Sequence, residues 1–415
     1  MTGIIAYIII AYFVALQSDA DVNVILFASI LIPFLFINKT LTGINVGWKP
    51  QGASYGLIAF EIAKIPVGLL FVYYLDLGLE GAIIATVIAY TVSIGILFFN
   101  VRDRIKVEFK KEYFFKWLKL SWLSLYIGRV YSMIQHFDVA VFSIITGSVL
   151  GVSYWSVSLA IGSIVAHAGS ITQGIYGKLL ASDEKEYFHE SFRLLLYFII
   201  PLFAFSIIFA KPGLFTLNPI YQDAVFVVIF LSIQALFQTF TNVFYSALLG
   251  IEKVDLNENV NMKEYVKSKL FFLPSIYIIQ RISHVVILVI VLLILIPTTK
   301  SQLELVIAWS IVSAIIPIPF TIYLFFMVKN YFTIKINNYS VIKYLITTIS
   351  IFSLTFLLME EFLVYDKEIF VFLPQTLIYV FFSLSGYFSI TFLIDKKTRI
   401  LFISIFREIK SILKK

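Results

Sequence analysis

The chain has 415 residues, of which 60% are hydrophobic and 14% are charged, compared with about 45–50% and about 25% in soluble domains. The apolar excess extends along the whole length, which excludes a soluble protein and indicates a polytopic membrane protein. Cysteine is absent, which excludes both a disulfide framework and a thiolate metal site.

The hydropathy pattern predicts about twelve helices that can cross roughly 30 Å of hydrocarbon. The expected fold class is therefore an all-α membrane protein. In chain order, the predicted spans run approximately over residues 3–17, 22–38, 55–75, 80–99, 118–147, 149–178, 191–210, 221–249, 271–296, 303–328, 342–364 and 369–394.

Lysine and arginine are distributed unevenly among the segments that join these spans. If Met1 is cytoplasmic, the outer segments contain only Lys211, Lys300 and Lys367, and the inner segments carry almost all the others. This bias predicts a multi-pass protein of the cell membrane with both termini in the cytoplasm. It also explains the net charge of +7 by membrane orientation, so no nucleic-acid partner is expected.

Three predicted spans each contain a cation, at Lys64, Arg129 and Arg281. Each cation lies about ten residues past the start of its span, or about 15 Å deep, so the three are expected to form one layer near the membrane centre. In a water-filled cavity such a layer would suit a phosphate or pyrophosphate group. His284 follows Arg281 by one helical turn, with Gln280 beside it. We therefore treat Arg129, Arg281, Lys64 and His284 as candidate substrate-binding residues.

Two carboxylates in the spans are candidates for ion or proton coupling. Glu61 lies one helical turn before Lys64, and the two could instead neutralise each other within one helix. Asp138 lies on the side of its helix opposite Arg129, so it needs a partner on another span or faces the cavity. A lone buried histidine such as His284 is also more often a hydrogen-bonded structural residue than a relay or a ligand.

No grouping of His, Asp and Glu in the sequence has metal-ligand spacing, and no nucleotide-binding loop or nucleophile elbow occurs. We therefore expect no enzyme activity, no cofactor and no metal site.

An ordered series of segments resembles the polysaccharide flippases of the multidrug/oligosaccharidyl-lipid/polysaccharide exporter superfamily. The similarity covers most of the chain and is diffuse. Its segments are Gly78-Leu-Glu-Gly81-Ala82, Phe137-Asp138, Val149-Leu-Gly-Val-Ser-Tyr154, Tyr176-Gly-Lys-Leu-Leu, Tyr221-Gln-Asp-Ala224 and Leu249-Gly-Ile-Glu-Lys253.

This resemblance implies two six-helix lobes around a central cavity that opens alternately to each side. It implies that the substrate is an oligosaccharide on a polyprenyl (pyro)phosphate carrier, flipped from the inner to the outer leaflet for cell-surface polysaccharide biosynthesis. The implied partners are this lipid-linked glycan, membrane lipids and the enzymes that assemble the glycan.

The chain departs from that pattern because four spans precede Leu118 where six are expected. The first lobe is thus expected to be two helices short, either because the chain is truncated or because this lineage lost them. The expected domains are a partial first lobe with a basic connecting helix (1–117), a second lobe of six spans (118–341), an extra pair of spans (342–394) and a cytoplasmic amphipathic basic tail (395–415).

Three functions fit the sequence to different degrees. The first is the lipid-linked oligosaccharide flippase, which a cationic layer at mid-depth favours. The second is a cation-coupled small-molecule or multidrug exporter of the same superfamily, which requires a cavity dominated by acids. The third is a membrane polysaccharide polymerase or glycosyltransferase, which the short outer loops disfavour.

Overall fold

The structure is a computed structural model. The predicted span 3–17, Arg129 and the first part of the predicted span 118–147 lie outside the residues that it describes. The structure describes residues 26–48, 50–103, 105, 110–112, 114–115, 137–172, 175, 179, 185–254, 262–299, 301–332 and 338–413.

All regular secondary structure in the described residues is helical, and ten of the helices are long and apolar enough to cross a membrane. This confirms the expected all-α membrane fold. Most span positions agree with the hydropathy pattern to within a few residues. The second span differs, because it runs over Leu26–Trp48 and continues past Lys39, where the pattern predicts a loop. The chain divides into two compact units, which meet in sequence between Lys116 and Trp117.

The described part of the first unit contains three α-helices and one π-helical segment, and the described part of the second contains twelve α-helices and two 3₁₀ segments. In the first unit these are α1 (Leu31–Trp48), α2 (Pro50–Gly68) with the π-helical Leu69–Tyr74, and α3 (Gly78–Val101). In the second they are α4 (Phe137–Thr146), α5 (Val149–Gly162), the 3₁₀ segment Ser163–Thr172, α6 (Lys185–Ile208), α7 (Ala210–Leu217), the 3₁₀ segment Pro219–Ala224, α8 (Val225–Gly250), α9 (Met262–Lys267), α10 (Lys269–Leu295), α11 (Gln302–Ile315), α12 (Pro317–Lys329), α13 (Asn338–Phe362), α14 (Ile369–Ile394) and α15 (Lys396–Leu413).

Polar contacts hold the three helices of the first unit together. Asn38 of α1 donates to the Ser93 hydroxyl of α3 at 2.8 Å, and that hydroxyl donates to the carbonyl of Gly56 in α2 at 2.8 Å. Gly56 permits this approach, because a Cβ there would lie 2.7 Å from the side chain of Leu97. In lipid the hydrophobic effect does not drive helices together. Close packing at small residues and hydrogen bonds between helices stabilise their contacts instead.

The second unit is built around α8, which packs against α5, α6, α11, α12 and the 3₁₀ segment Ser163–Thr172. An aromatic stack lies beside it. The Trp309 ring of α11 lies parallel to Trp155 of α5, with centroids 3.6 Å apart, and stacks on Phe142 of α4 at 4.7 Å. Trp309 is completely buried. The stack therefore joins three helices at one point.

A tight turn joins α4 to α5 at Gly147-Ser148, at the boundary between the predicted spans 118–147 and 149–178. Gly147 has a φ of +62°, in the left-handed region that favours glycine. The Ser148 side chain then accepts a hydrogen bond from the Gly151 N–H at 2.9 Å and caps α5. Ser148 thereby fixes the start of the second helix of this hairpin.

The last two spans pack against α6 through tyrosines, and a carboxylate ties the following helix to them. Asp395 lies between α14 and α15, where its Oδ2 accepts hydrogen bonds from the Tyr344 hydroxyl at 2.9 Å and from the N–H and hydroxyl of Thr398 at 3.0 and 2.7 Å. Ser340 also donates to Oδ1, and Arg193 of α6 donates to the Tyr344 hydroxyl at 3.2 Å. We call Asp395 with these four residues the Asp395 joint.

Burial would raise the pKa of Asp395, but the hydrogen bonds from Thr398 and Tyr344 outweigh it and hold the pKa below its usual value. Two cations complete the junction by binding the last carbonyls of α14. Lys343 donates to the Ile394 carbonyl, and Arg399 to the carbonyls of Phe392 and Leu393. Such contacts satisfy helix-end acceptors and complement the helix dipole. The joint therefore sets where α15 begins.

Candidate functional site

The polar side chains of α10 form the centre of the candidate site. Arg281 lies about 18 Å along the helix from Lys269, near the middle of a 27-residue span. Gln280 and His284 are buried, whereas Arg281 is half-buried. A guanidinium at this depth is costly unless it meets water or a polar partner. The second unit thus holds a cation near the middle of a candidate membrane span, on a partly exposed surface.

His284 connects three helices of the second unit. Its Nδ1 lies 3.9 Å from Oδ2 of the buried Asp138 in α4, and its Nε2 lies 2.9 Å from the Ser313 hydroxyl of α11. The Ser313 hydroxyl donates its hydrogen to the Trp309 carbonyl at 3.0 Å. While the Ser313 hydroxyl donates there, its oxygen can accept a hydrogen bond from Nε2 of His284. This leaves Nδ1 facing the carboxylate.

Asp138 is held by its own helix as well as by His284. Its Oδ1 accepts a hydrogen bond from the Val139 N–H at 2.9 Å, at the first turn of α4. Only 6% of Asp138 is exposed, so the carboxylate lies inside the second unit. Of the two arrangements that the sequence allows for Asp138, the structure shows a neighbour on another span. Its role in coupling stays a prediction.

A chain of amides links α10 to α8 next to this cluster. Gln280 donates to the Gln238 carbonyl oxygen at 3.3 Å, and Gln238 donates to Asn242 at 3.2 Å. Asn242 also accepts a hydrogen bond from the Tyr277 hydroxyl at 2.7 Å. Asn242 is exposed on its span. An exposed carboxamide on a membrane helix is expected to face water or protein rather than lipid, so this surface suits a cavity wall.

Sequence reasoning missed Gln238, Asn242, Tyr277 and Ser313. A search restricted to Lys, Arg, His, Asp and Glu cannot find them, because none of the four belongs to these residue types. The spacing of Gln238 and Asn242, one helical turn apart within an apolar span, is the signal that could have found two of them. Polar side chains at this spacing share one helix face.

In the first unit, Glu61 and Lys64 lie on the exposed surface of α2. The Lys64 ammonium lies 5.4 Å from the centroid of the Phe60 ring, within the range of a cation–π contact. Arg129 lies outside the described residues. A shared layer of Lys64, Arg129 and Arg281 therefore stays a prediction, as do their roles in substrate binding and that of Glu61 in coupling.

A groove of about 380 Å³ runs along the α4–α5 hairpin and carries several hydroxyl groups. Ser143, Ser153, Ser156 and Tyr221 line it. Ser153 and Ser156 donate to the carbonyls one turn earlier in α5, which leaves their oxygens as acceptors. Such a surface suits a ligand with hydroxyl donors. Across the part of the chain that the structure describes, no three His, Asp or Glu residues are grouped to hold a metal ion.

Comparison with solved structures shows one similar fold, the crystal structure of a point mutant of a MATE protein. The TM-score is 0.56 at 14% identity, over 79% of this chain and 74% of that chain. A likeness at this identity establishes the fold alone, and it agrees with the helical membrane bundle expected from the sequence. No sequence model of a known family matches the chain, and no curated protein sequence matches it.

Proposed function

We propose that the chain is an alternating-access transporter that flips an oligosaccharide on a polyprenyl (pyro)phosphate carrier from the inner to the outer leaflet. The fold similarity to a MATE protein supports a transporter rather than an enzyme. The finer assignment rests on the charges of the second unit and on the resemblance of the sequence to polysaccharide flippases. Proteins that assemble the glycan would be its partners.

The observation that carries this proposal is the difference in exposure between Arg281 and Asp138. Arg281 is half-buried and brings a guanidinium to the surface of α10 near mid-span, while the carboxylate of Asp138 lies buried beside His284. A surface of this kind favours an anionic ligand, and a guanidinium matches phosphate oxygens with paired donors. The hydroxyl groove of the hairpin suits the sugars of the same ligand.

Replacing Arg281 tests the proposal. We expect Arg281→Gln to reduce flipping of a lipid-linked oligosaccharide in proteoliposomes by about tenfold or more, since a lost charge-assisted contact costs roughly 1.5–3 kcal/mol. Arg281→Lys should keep part of the activity, because it keeps the charge without the fork of donors. Lys269→Gln is the matched control, since Lys269 begins the same helix and contacts Tyr331. Full flipping by Arg281→Gln at normal protein level would contradict the role of this cation.

A second candidate function is supported by the buried Asp138–His284 contact. In a cation-coupled exporter, a buried titratable pair would take up and release a proton between conformations. We expect Asp138→Asn to abolish the response of transport to an imposed pH gradient if this function is correct. Ser313→Ala, which removes the neutral neighbour of His284, is the control that should keep the response. Unchanged gradient dependence in Asp138→Asn would exclude Asp138 as the coupling group.

A further inference from the structure

Helix α14 presents an apolar groove on the face next to its buried one. Two adjoining depressions of about 560 and 390 Å³ share Phe388. They are lined mainly by Leu377, Phe381, Leu384, Phe388, Phe392 and Phe402. The first five recur every three or four residues, so they lie along one side of the helix.

The groove is long enough for a lipid chain. From Leu377 to Leu393 the helix rises about 24 Å, which exceeds the half-thickness of the hydrocarbon core, roughly 15 Å. Phe402 of α15 closes the groove at the end of the span, where its ring lies 6.0 Å from Phe388 and 6.1 Å from Phe392. One end of the groove therefore lies at the level where the last span leaves the membrane.

A cation lies at that end. The Arg399 guanidinium is 5.8 Å from the centroid of the Phe392 ring, which lines the groove. It donates to the carbonyls of Phe392 and Leu393 through Nε and Nη2, and a guanidinium has five N–H donors in total. Arg399 and the neighbouring Lys396 are both exposed. An apolar groove that ends at an exposed guanidinium is complementary to a lipid with an apolar chain and an anionic headgroup.

We propose that this groove binds one acyl chain of an anionic phospholipid whose phosphate is held by Arg399. Lys396 and Lys397, which precede Arg399 on α15, extend the positive surface beside the groove. The positive-inside pattern places this end at the cytoplasmic leaflet, which carries the anionic lipids. The proposal concerns the last span and α15, and it does not depend on the transported substrate.

Retention of lipids by the purified full-length chain tests this site. The chain is exchanged into detergent with equimolar phosphatidylglycerol and phosphatidylcholine, and bound lipids are counted by native mass spectrometry. We expect preferential retention of phosphatidylglycerol, and we expect Arg399→Gln to lower it about tenfold, the effect of one lost charged hydrogen-bond contact. Arg407→Gln, an exposed cation on the same helix, should leave retention unchanged. Equal retention of both lipids, or an equal loss in Arg407→Gln, would overturn the proposal.

A second variant separates lipid binding from the structural role of Arg399. Ser389 lines the groove, and Ser389→Phe should fill it without touching the carbonyl contacts of Arg399. We expect this variant to lose both phospholipids while the thermal midpoint of unfolding stays normal. If it retains phosphatidylglycerol as the natural chain does, the acyl chain does not lie in this groove.

Two further experiments test whether the groove binds a polyprenyl phosphate or a second copy of the chain instead. An equimolar polyprenyl phosphate that displaces phosphatidylglycerol would assign the groove to the transported lipid and overturn the proposal. Ser385→Cys introduces the sole thiol of a chain without cysteine, inside the groove. Oxidative cross-linking of this variant into dimers in membranes would show that a second copy covers the groove, whereas a monomeric product supports a lipid.

Discussion

Replacement of Trp309 by alanine should destabilise the second unit more than any other single truncation of an aromatic residue discussed above. Trp309 is fully buried and stacks on both Trp155 and Phe142, so its removal leaves a cavity between α4, α5 and α11. We expect a loss of about 3 kcal/mol, the low end of the range for core aromatics, because lipid rather than water surrounds the separated helices. The unfolding free energy in mixed micelles measures this effect.

The conservative variant makes this test specific. The Trp309 indole N–H is buried and has no hydrogen-bond acceptor among the described residues, and such an orphan donor is unfavourable. Trp309→Phe should therefore lie close to the natural chain, because the lost ring area is offset by the removal of that donor. Phe326→Ala, at an exposed position of α12, is the control for loss of an aromatic ring. Equal unfolding free energies for Trp309→Ala and Phe326→Ala would contradict the role of the stack.

Asparagine at position 395 should loosen α15 from the last span. The Asp395 carboxylate accepts hydrogen bonds from Thr398, Tyr344 and Ser340. In asparagine one of these oxygens becomes an NH₂ group, which would face a hydrogen-bond donor instead of accepting from it. We expect a loss of about 3 kcal/mol, since hydrogen bonds to charged groups contribute about 1.5–3 kcal/mol each. A spin label on Ser404→Cys should become more mobile in the Asp395→Asn background. Asp366→Asn, in an exposed turn, is the matched control.

The same variant predicts a pH dependence. The pKa of Asp395 is lowered in the folded chain, so its contribution to stability is complete above the unfolded value of about 3.9 and is lost as pH falls through the folded value. The difference in unfolding free energy between the natural chain and Asp395→Asn should be constant from about pH 5 upward. It should shrink below about pH 4. A difference that grows on acidification would show that the carboxylate is not stabilised by the joint.

The spans could be predicted from the sequence because each one must be apolar over enough residues to cross the hydrocarbon core. A run of about twenty apolar residues is a local property, and hydropathy therefore finds α10, α13 and α14 with almost correct bounds. The second span extends past Lys39 because Asn38 and Asn45 find partners on α3. Hydropathy counts these amides against a helix, whereas the fold satisfies them. A polar residue at a helix contact thus misleads a scale that treats every residue as facing lipid.

The candidate site could be predicted only in part. The sequence identifies Arg281, His284 and Asp138 as candidates because ionisable groups are rare in membrane spans. Their arrangement depends on which faces of α4, α10 and α11 meet, and packing between distant segments decides that. The contact of Asp138 with His284, and that of His284 with Ser313, therefore had to come from the structure. The Asp395 joint is a similar case, since Arg193, Tyr344 and Asp395 lie far apart in sequence.

The hydrogen bonds of the first unit bear on the order of events during synthesis. The contacts among Asn38, Ser93 and Gly56 all close within one early stretch of the chain. Three helices joined in this way can associate in the bilayer while the later spans are still on the ribosome, since domains generally fold as units, N-terminal first. The nascent chain would thus shield these polar groups from lipid before its aromatic core exists.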